Sequence, residues 1–328
     1  MNLIVVYTKP LSFSGQSFAS ELLLNVLKDE KINVQKVIFN QIDRRKKRFF
    51  FNSLILLKDT IESTTKIWSF AAKGNSTFNF NIGQSFISFF RVFLGVLVAS
   101  LFKKNKIIIS LHGAKFFSWN KNSIIYEFFI WFLSKASAIT VLSNRQKLKL
   151  KSMNISPDKI FIVNNTCGIE PIDSLGFKKK LTSPIINILH LSLLIESKGF
   201  PIFLDTGFEL SKENLERKIE GVLCGPLSTT AECKTFNDDK EKSLFINKKI
   251  KQINKSEFVN FKWIKGAYGY EKYNLFNQCS IFIFPSTFSV EAQPIVLIEA
   301  MASGCAIIAS KVGEIPELLP KGTAILLE

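Results

Sequence analysis

Residues 284–318 read FPSTFSVEAQPIVLIEAMASGCAIIASKVGEIPEL. The apolar run Ile281–Pro285 that leads into it has the length and the β-branched and aromatic content of a buried strand. A polar loop carries the chain to Glu291, and a helix is predicted from Pro294, where a missing N–H costs nothing because first-turn donors are unpaired anyway. The N–H groups of Ile295 and Val296 then point out of the helix start, which makes a ready site for an anion such as a phosphate. Ser303-Gly304 ends the helix and Cys305–Ala309 reads as the next strand. Glu291 lies just before the helix and Glu299 about one and a half turns into it. Two glutamates eight residues apart mean little by themselves; the frame around them gives the pair its weight.

The same alternation of short apolar runs and amphipathic stretches extends outward to both ends. Strands are predicted at Leu3–Tyr7, Val34–Phe39, Lys106–Leu111, Ala138–Leu142 and Lys159–Val163, then at Ile185–Leu191, Gly221–Cys224, Phe258–Trp263, Ile281–Pro285 and Cys305–Ala309. Several are continuous Ile/Val/Leu/Phe runs, as a parallel sheet covered on both faces requires. Ser17–Lys28 places Phe18, Leu22, Val26 and Leu27 on one helical face, and Ser123–Ser137 and Lys240–Asn254 are also of helix length. The pattern is an α/β, doubly wound fold occurring twice. The domains expected are 1–176 and 185–328, with a linker at 177–184 in the Gly-, Ser-, Lys- and Pro-rich stretch that interrupts the periodicity. Two such domains facing each other would leave a cleft at the C-terminal ends of their strands, where open α/β sheets bind ligands.

A chain of 328 residues exceeds what one core usually spans, and 47% hydrophobic with 21% charged residues excludes a disordered chain or a coiled coil. The net charge of +16 is segregated: residues 1–180 hold 27 basic and 10 acidic side chains, residues 181–328 hold 16 and 17. A codon preference for Lys, Asn, Ile and Phe explains the abundance of lysine but not its confinement to one half. A basic face attracts anionic membrane surfaces, nucleic acids or phosphorylated substrates. Cysteines 167, 224, 233, 279 and 305 form no C-x-x-C pair, which suits a reducing cytoplasm. The opening MNLIVVYTKP lacks a basic n-region and reads as a strand. Phe86–Phe102 is almost wholly apolar but falls short of the ~20 residues of a spanning helix, and Arg91 inside it would cost about 2.5–3.5 kcal/mol in a bilayer, so a buried helix is expected.

The frame P-S-x4-E-x2-P-x4-E-A-M-A-S-G, a short strand and V-G-E-I-P-E closely resembles the Glu-x7-Glu signature of retaining glycosyltransferases with the GT-B fold, family four, the glycosyl transferases group 1. Ser110-Leu111-His112-Gly113 is similar to the family's first-domain His-Gly. Asn187–Gly199 resembles the strand and Lys-Gly loop that open its second domain, and Phe258–Cys279 the strand, loop and helix before the Glu motif. The resemblance implies two Rossmann-like domains facing across a cleft. It also implies that Glu299 accepts hydrogen bonds from the donor ribose and that Glu291 holds the transferred sugar. The N–H groups after Pro294, on Ile295 and Val296, would hold the diphosphate, and Lys198 would neutralise it. His112 would face the donor sugar, and Gly15, after the first strand, would let the backbone approach the leaving phosphate. Plainer readings stand beside these: a satisfied core histidine for His112, one surface lysine among many for Lys198, and small buried hydrophobes for Cys279 and Cys305.

The sequence departs from the family pattern at Leu193, where a second phosphate-clamping Arg is usual, at Ala292-Gln293 and at Cys167. Family members commonly continue beyond the point that Glu328 occupies, so the second domain is expected to be incomplete. No Asp-x-Asp and no ligand-spaced His/Cys/carboxylate set occurs, so no metal and no cofactor is expected beyond a nucleotide-diphosphate sugar as substrate. Arg44, Arg45, Lys46, Lys47 and Arg48 precede Phe49, Phe50 and Phe51, a pattern suited to an anionic membrane surface, or else a solvated basic helix. The resemblance gives the first domain the acceptor. The function expected is transfer of a sugar, with retention, to a glycan or lipid-linked glycan in surface polysaccharide synthesis (lipopolysaccharide or capsule), by a cytoplasmic protein peripheral to the inner face of the membrane. A sugar-nucleotide epimerase on the same fold and a non-catalytic transferase-like module are the alternatives. The loop TKPLSFSGQ is not G-x-G-x-x-G, against a dehydrogenase, and the neutral second half stands against a nucleic-acid partner.

Overall fold

Strands that are apolar on both faces can only sit inside a sheet covered on both sides, and the chain builds two such sheets. The computed structural model describes residues 2–9, 15–40, 49–83, 86–228, 233 and 235–328. It divides into two compact units, Met1–Thr166 and Cys167–Glu328. The first contains strands β1 (Asn2–Lys9), β2 (Val34–Asn40), β3 (Ser76–Asn81), β4 (Lys106–Ser110), β5 (Ala138–Val141) and β6 (Ile160–Ile162). Its helices are α1 (Gly15–Asp29), α2 (Phe49–Ala72), α3 (Phe86–Ser100), α4 (Ile124–Ser134) and α5 (Asn144–Lys151). The second contains strands β7 (Ile185–Leu191), β8 (Lys218–Cys224), β9 (Val259–Ile264), β10 (Ile281–Phe284), β11 (Ala306–Ser310) and β12 (Ala324–Leu327). Its helices are α6 (Ser174–Leu181), α7 (Phe200–Leu210), α8 (Asp239–Ile253), α9 (Gly269–Gln278), α10 (Ile295–Ala302) and α11 (Ile315–Leu318).

All pairings in both sheets are parallel. The first sheet runs β2-β1-β3-β4-β5-β6 and the second β12-β11-β10-β7-β8-β9. Each order reverses once, between β1 and β3 in the first unit and between β7 and β10 in the second. At these switch points the loops leave in opposite directions and open a crevice at the strand C-termini. The α/β, doubly wound reading of both halves therefore holds. Two strands were not legible: β3, whose Asn79 and Asn81 break the apolar run, and the short edge strand β12.

The segment expected to be a linker, 177–184, instead contributes to α6 of the second unit, and the division falls earlier, between Thr166 and Cys167. Asp173 caps α6 by accepting from the Gly176 N–H at 2.7 Å. Lys180, part of the stretch expected to be a linker, reaches the carbonyl of Phe276 at 2.8 Å and that of Ser303. These are carbonyls at the C-terminal ends of α9 and α10, where a helix leaves acceptors unpaired and the dipole favours a cation. Gly15, expected in a loop, is the first residue of α1, and Arg44, Arg45, Lys46, Lys47 and Arg48 lie outside the described residues.

Arg91 shows why α3 belongs to the domain. It is 4% exposed, with Nε donating to Thr60 Oγ1 at 2.7 Å, one terminal nitrogen donating to the Asn40 carbonyl at 2.8 Å and the other paired with Asp59. No helix among the described residues is long and apolar enough to cross a membrane.

His190 joins the two switch strands of the second sheet. It is fully buried on β7; Nδ1 donates to the Ile283 carbonyl of β10 at 2.9 Å and Nε2 lies 2.8 Å from Ser192 Oγ. Burial pushes its pKa down from 6.5 to about 4. The unfolded chain therefore takes up a proton before the folded one does. The stability this neutral histidine supports is present above about pH 6.5 and lost as the pH falls toward 4. Urea midpoints measured from pH 7 to 4.5 should fall, and less steeply in His190→Asn; equal slopes would show that another group governs the acid limb.

Candidate active site

The loops that leave β7 and β10 meet at the second sheet's switch point. After β7 the chain passes through a 3-10 turn, Glu196–Lys198, and Gly199 (φ +86°) starts α7. A Cβ on Gly199 would lie 2.1 Å from the Pro285 carbonyl oxygen, so only glycine lets this loop touch the loop after β10. The contact is held by the Thr287 N–H, which donates to the Ser197 carbonyl at 2.8 Å. The glycine of the Lys-Gly pair read from the sequence is thus a packing requirement.

Lys198 Nζ forms an ion pair with Glu291 Oε1, and the ammonium also lies 4.8 Å from the centre of the Phe288 ring. Ser286 Oγ sits 2.8 Å from the same carboxylate oxygen and 3.0 Å from the Ser197 carbonyl. Glu291 is 5% exposed. Its backbone is gripped from the other side, where the Glu314 N–H donates to its carbonyl at 2.9 Å. A Cβ on Gly313 (φ +55°) would come within 2.2 Å of that carbonyl oxygen. This explains the V-G-E-I-P-E tail: Gly313 admits the Glu291 backbone against the turn that follows β11.

Glu299, on the second turn of α10, is 1% exposed. Oε1 pairs with Lys272 Nζ of α9 at 2.5 Å, while Oε2 is buried with no partner. Burial raises its pKa and Lys272 only partly offsets this. A buried carboxylate oxygen without a donor is costly, and it is well placed for a ligand hydroxyl that donates. Lys272 went unnoticed in the sequence, since a lone lysine on an amphipathic helix carries no local signal. Pro294 stands at the N-cap of α10 in extended conformation, so Ile295 and Val296 occupy the first helical positions, where backbone N–H groups lack intrahelical acceptors. The site therefore brings together Lys198, Glu291, Glu299, Pro294, Ile295 and Val296. Cys279 and Cys305 are buried below it, and burial pushes the Cys279 thiol up.

His112 belongs to the first unit and follows β4. Its Nε2 lies 3.1 Å from Asn81 Oδ1, at the end of switch strand β3, and the ring also hydrogen-bonds the Asn165 side chain. Burial pushes its pKa down to about 4, so the ring is neutral. Around it, Asn81 Nδ2 donates to Ser20 Oγ at 2.9 Å, and the hydroxyls of Thr8 and Ser88 are 2.8 Å apart. This polar cluster marks the first sheet's switch point. Apart from His112, its members were not legible, being scattered Ser, Thr and Asn residues. Among the described residues no group of three His, Cys, Asp or Glu side chains gathers as metal ligands would.

Removing the ammonium of Lys272 would leave Glu299 buried and uncompensated. Lys272→Met is expected to cost about 3 kcal/mol near pH 8. A carboxyl whose folded pKa is raised stabilises most when protonated, so the loss should shrink at pH 5 and grow as the pH rises. Denaturation of the variant at both pH values, with Lys272→Met/Glu299→Gln regaining stability, checks this; a pH-independent loss would assign the cost to packing.

Residues 178–327 match the family model described as glycosyl transferases group 1. No curated protein matches the chain in sequence. Among solved structures, the chain is similar to Anabaena HepE in complex with UDP and glucose, with TM-score 0.63 and 13% identity over 99% of this chain and 85% of that one. It is also similar to the lipopolysaccharide outer core galactosyltransferase WaaB in its apo form (TM-score 0.59, 14% identity, 100% and 86% covered). A third is an α,α-trehalose-phosphate synthase (UDP-forming) from Burkholderia vietnamiensis (TM-score 0.62, 10% identity, 100% and 88% covered). At these identities the likeness speaks for the fold, which is GT-B. The Glu-x7-Glu site in its strand-loop-helix frame lies within residues 178–327, the part of this chain that is similar to the glycosyl transferases group 1 family.

Proposed function

We propose that the protein is a glycosyltransferase that moves a sugar, with retention of configuration, from a nucleotide-diphosphate sugar to a glycan acceptor, most simply a lipid-linked one used in cell-surface polysaccharide synthesis. The observation that carries this reading is the pair of buried glutamates at the switch point, one held by Lys198 and the other with an unpartnered oxygen. Glu299 Oε2 would accept from a ribose hydroxyl and so satisfy an atom that is otherwise orphaned. Glu291 would hold hydroxyls of the transferred sugar. Lys198 and the N–H groups of Ile295 and Val296 would receive the diphosphate, stabilising the charge that grows as it departs without requiring a metal. In this reading the diphosphate takes the acceptor's proton on the face it leaves from. His112, neutral, and Gly15 are assigned to the sugar and the leaving phosphate.

HepE was solved with UDP and glucose and with UDP-glucose, and WaaB is described as a lipopolysaccharide galactosyltransferase. The first supports a uridine nucleotide as the first donor to try, and the second supports a surface glycan as the first class of acceptor. The excess of basic residues in the first 180 positions supports a cytoplasmic protein held at the inner face of the membrane.

A thermal-shift panel of UDP-, GDP-, ADP- and CMP-sugars tests the donor site. One nucleotide class should raise the melting temperature of the wild type and leave that of Glu299→Ala unmoved. With that donor, Lys198→Ala should keep its fold and lose about 10²–10³ in kcat, the scale of one electrostatic group acting on developing charge. Folded protein that binds none of the four would move the reading to a non-catalytic module.

A further inference from the structure

Helix α2 is amphipathic the wrong way round. Its inward positions are Leu56, Thr60, Ser63, Ile67 and Ala71, two of them polar and satisfied locally: Ser63 Oγ donates to the Ile38 carbonyl at 3.0 Å, and Thr60 Oγ1 accepts from Arg91. Its outward side carries Leu54, Leu57, Ile61 and Trp68, each between 51% and 57% exposed. At 100° per residue these four fall within about 60° of one another, so they form a single stripe. Helix α3 and the residue that follows it present a second stripe to solvent, with Phe90 50%, Leu97 37% and Leu101 61% exposed. The two stripes adjoin. Arg91 of α3 is bonded to Asp59 and Thr60 of α2, and Trp68 meets Phe102, just past the end of α3, edge-on at 5.3 Å. Through Phe93, which stacks on Phe90 at 6.2 Å and meets Phe128 at 5.5 Å, the apolar surface continues onto α4, where Ile124 and Phe128 are exposed.

Charge selects the occupant. From residue 49 to residue 134 the chain has nine basic and three acidic side chains. Lys58 is exposed on α2 at the edge of its stripe, where it pairs with Glu62 at 3.8 Å; Lys66 is exposed further round the same helix, and Lys103 and Lys104 are exposed beyond the end of α3. A second copy docking through the same patch would bring these cations face to face, whereas an anionic lipid surface complements them and accepts the side chains between. Trp and Phe flanked by lysine are the side chains that sit at a headgroup boundary.

We propose that the outer face of α2, α3 and α4, centred on Leu57, Ile61, Trp68 and Phe90, is a membrane-docking surface that lies on an anionic bilayer with its apolar stripe inserted at the headgroup level. The proposal rests on the reading of the first unit as membrane-facing, and it now names a surface for that reading.

The test uses the full chain with vesicles of phosphatidylglycerol and phosphatidylcholine, against vesicles of phosphatidylcholine alone. Wild-type protein should co-float with the anionic vesicles, and lipids brominated in the upper acyl chain should quench part of its tryptophan emission, a part absent in Trp68→Phe. Leu57→Ser/Ile61→Ser/Trp68→Ser, substituted only at exposed sites, should keep its melting temperature and bind at least about tenfold more weakly. Its response to the sugar-nucleotide that binds the wild type should be unchanged. Vesicle binding that is absent in the wild type, or equal in the triple variant, overturns the proposal. So does a wild-type dimer that the triple variant dissociates while vesicles bind neither. Loss of vesicle binding in the variant with no sugar-nucleotide response in either protein would leave the docking surface standing and remove the transferase reading.

Discussion

Glu291 and Glu299 are almost fully enclosed, and a buried carboxylate is tolerable only when a cation or several donors come with it. In the second unit each receives a lysine from a different part of the chain, Lys198 from the loop after β7 and Lys272 from α9. The two pairs tie the loop after β7 to the loop after β10, and α9 to α10. Glycine is required at 199 and at 313 by two separate contacts, with the Pro285 carbonyl and with the Glu291 backbone. The backbones that carry Lys198 and Glu291 must approach more closely than any Cβ allows. The site is therefore assembled by charge compensation as much as by apolar packing, and a diphosphate entering it would exchange one partner of Lys198 for another rather than meet a free cation.

The strand order makes these meetings possible. Because β10 lies beside β7 in the sheet, residues more than ninety positions apart leave adjacent strand ends and face one another. His190 reinforces the junction from below by bonding β7 to the Ile283 carbonyl of β10. The first sheet has the same kind of reversal between β1 and β3. It collects there not charges but a set of neutral hydrogen-bonding groups around His112. Two sheets of like topology thus carry unlike chemistry at equivalent places, ionic in one and neutral in the other.

The first unit also departs from the usual division of a helix into a dry inner face and a wet outer one. Helix α2 gives two of its inner positions, Thr60 and Ser63, to hydroxyl side chains, and Arg91 of α3 finds its acceptors beside them in Thr60, Asp59 and the Asn40 carbonyl. Four large apolar side chains of the same helix, Leu54, Leu57, Ile61 and Trp68, stand on the outside. An arginine in an apolar helix and leucines on an exposed helical face are two sides of one packing solution.

The residues that sequence alone could identify were those whose meaning is local. Continuous apolar runs announced parallel strands, since no other structure hides both faces of such a run. Pro294 and the spacing of Glu291 and Glu299 announced a loop and helix start, since capping and helical pitch act over a few residues. The Lys-Gly pair at 198–199 was legible as part of a motif. What the sequence could not determine was pairing across distance. Lys272 beside Glu299, Lys180 on the ends of α9 and α10, Asn81 and Ser20 around His112, and the outward turn of the α2 stripe all depend on which strands are neighbours. Strand β3 was hidden for a related reason, because Asn79 and Asn81 look like breakers until Ser110 and Ser20 are seen bonding them from other elements. Periodicity records how a residue stands to its own element. Burial of a charge or an amide is settled only by the partner that the tertiary fold brings to it.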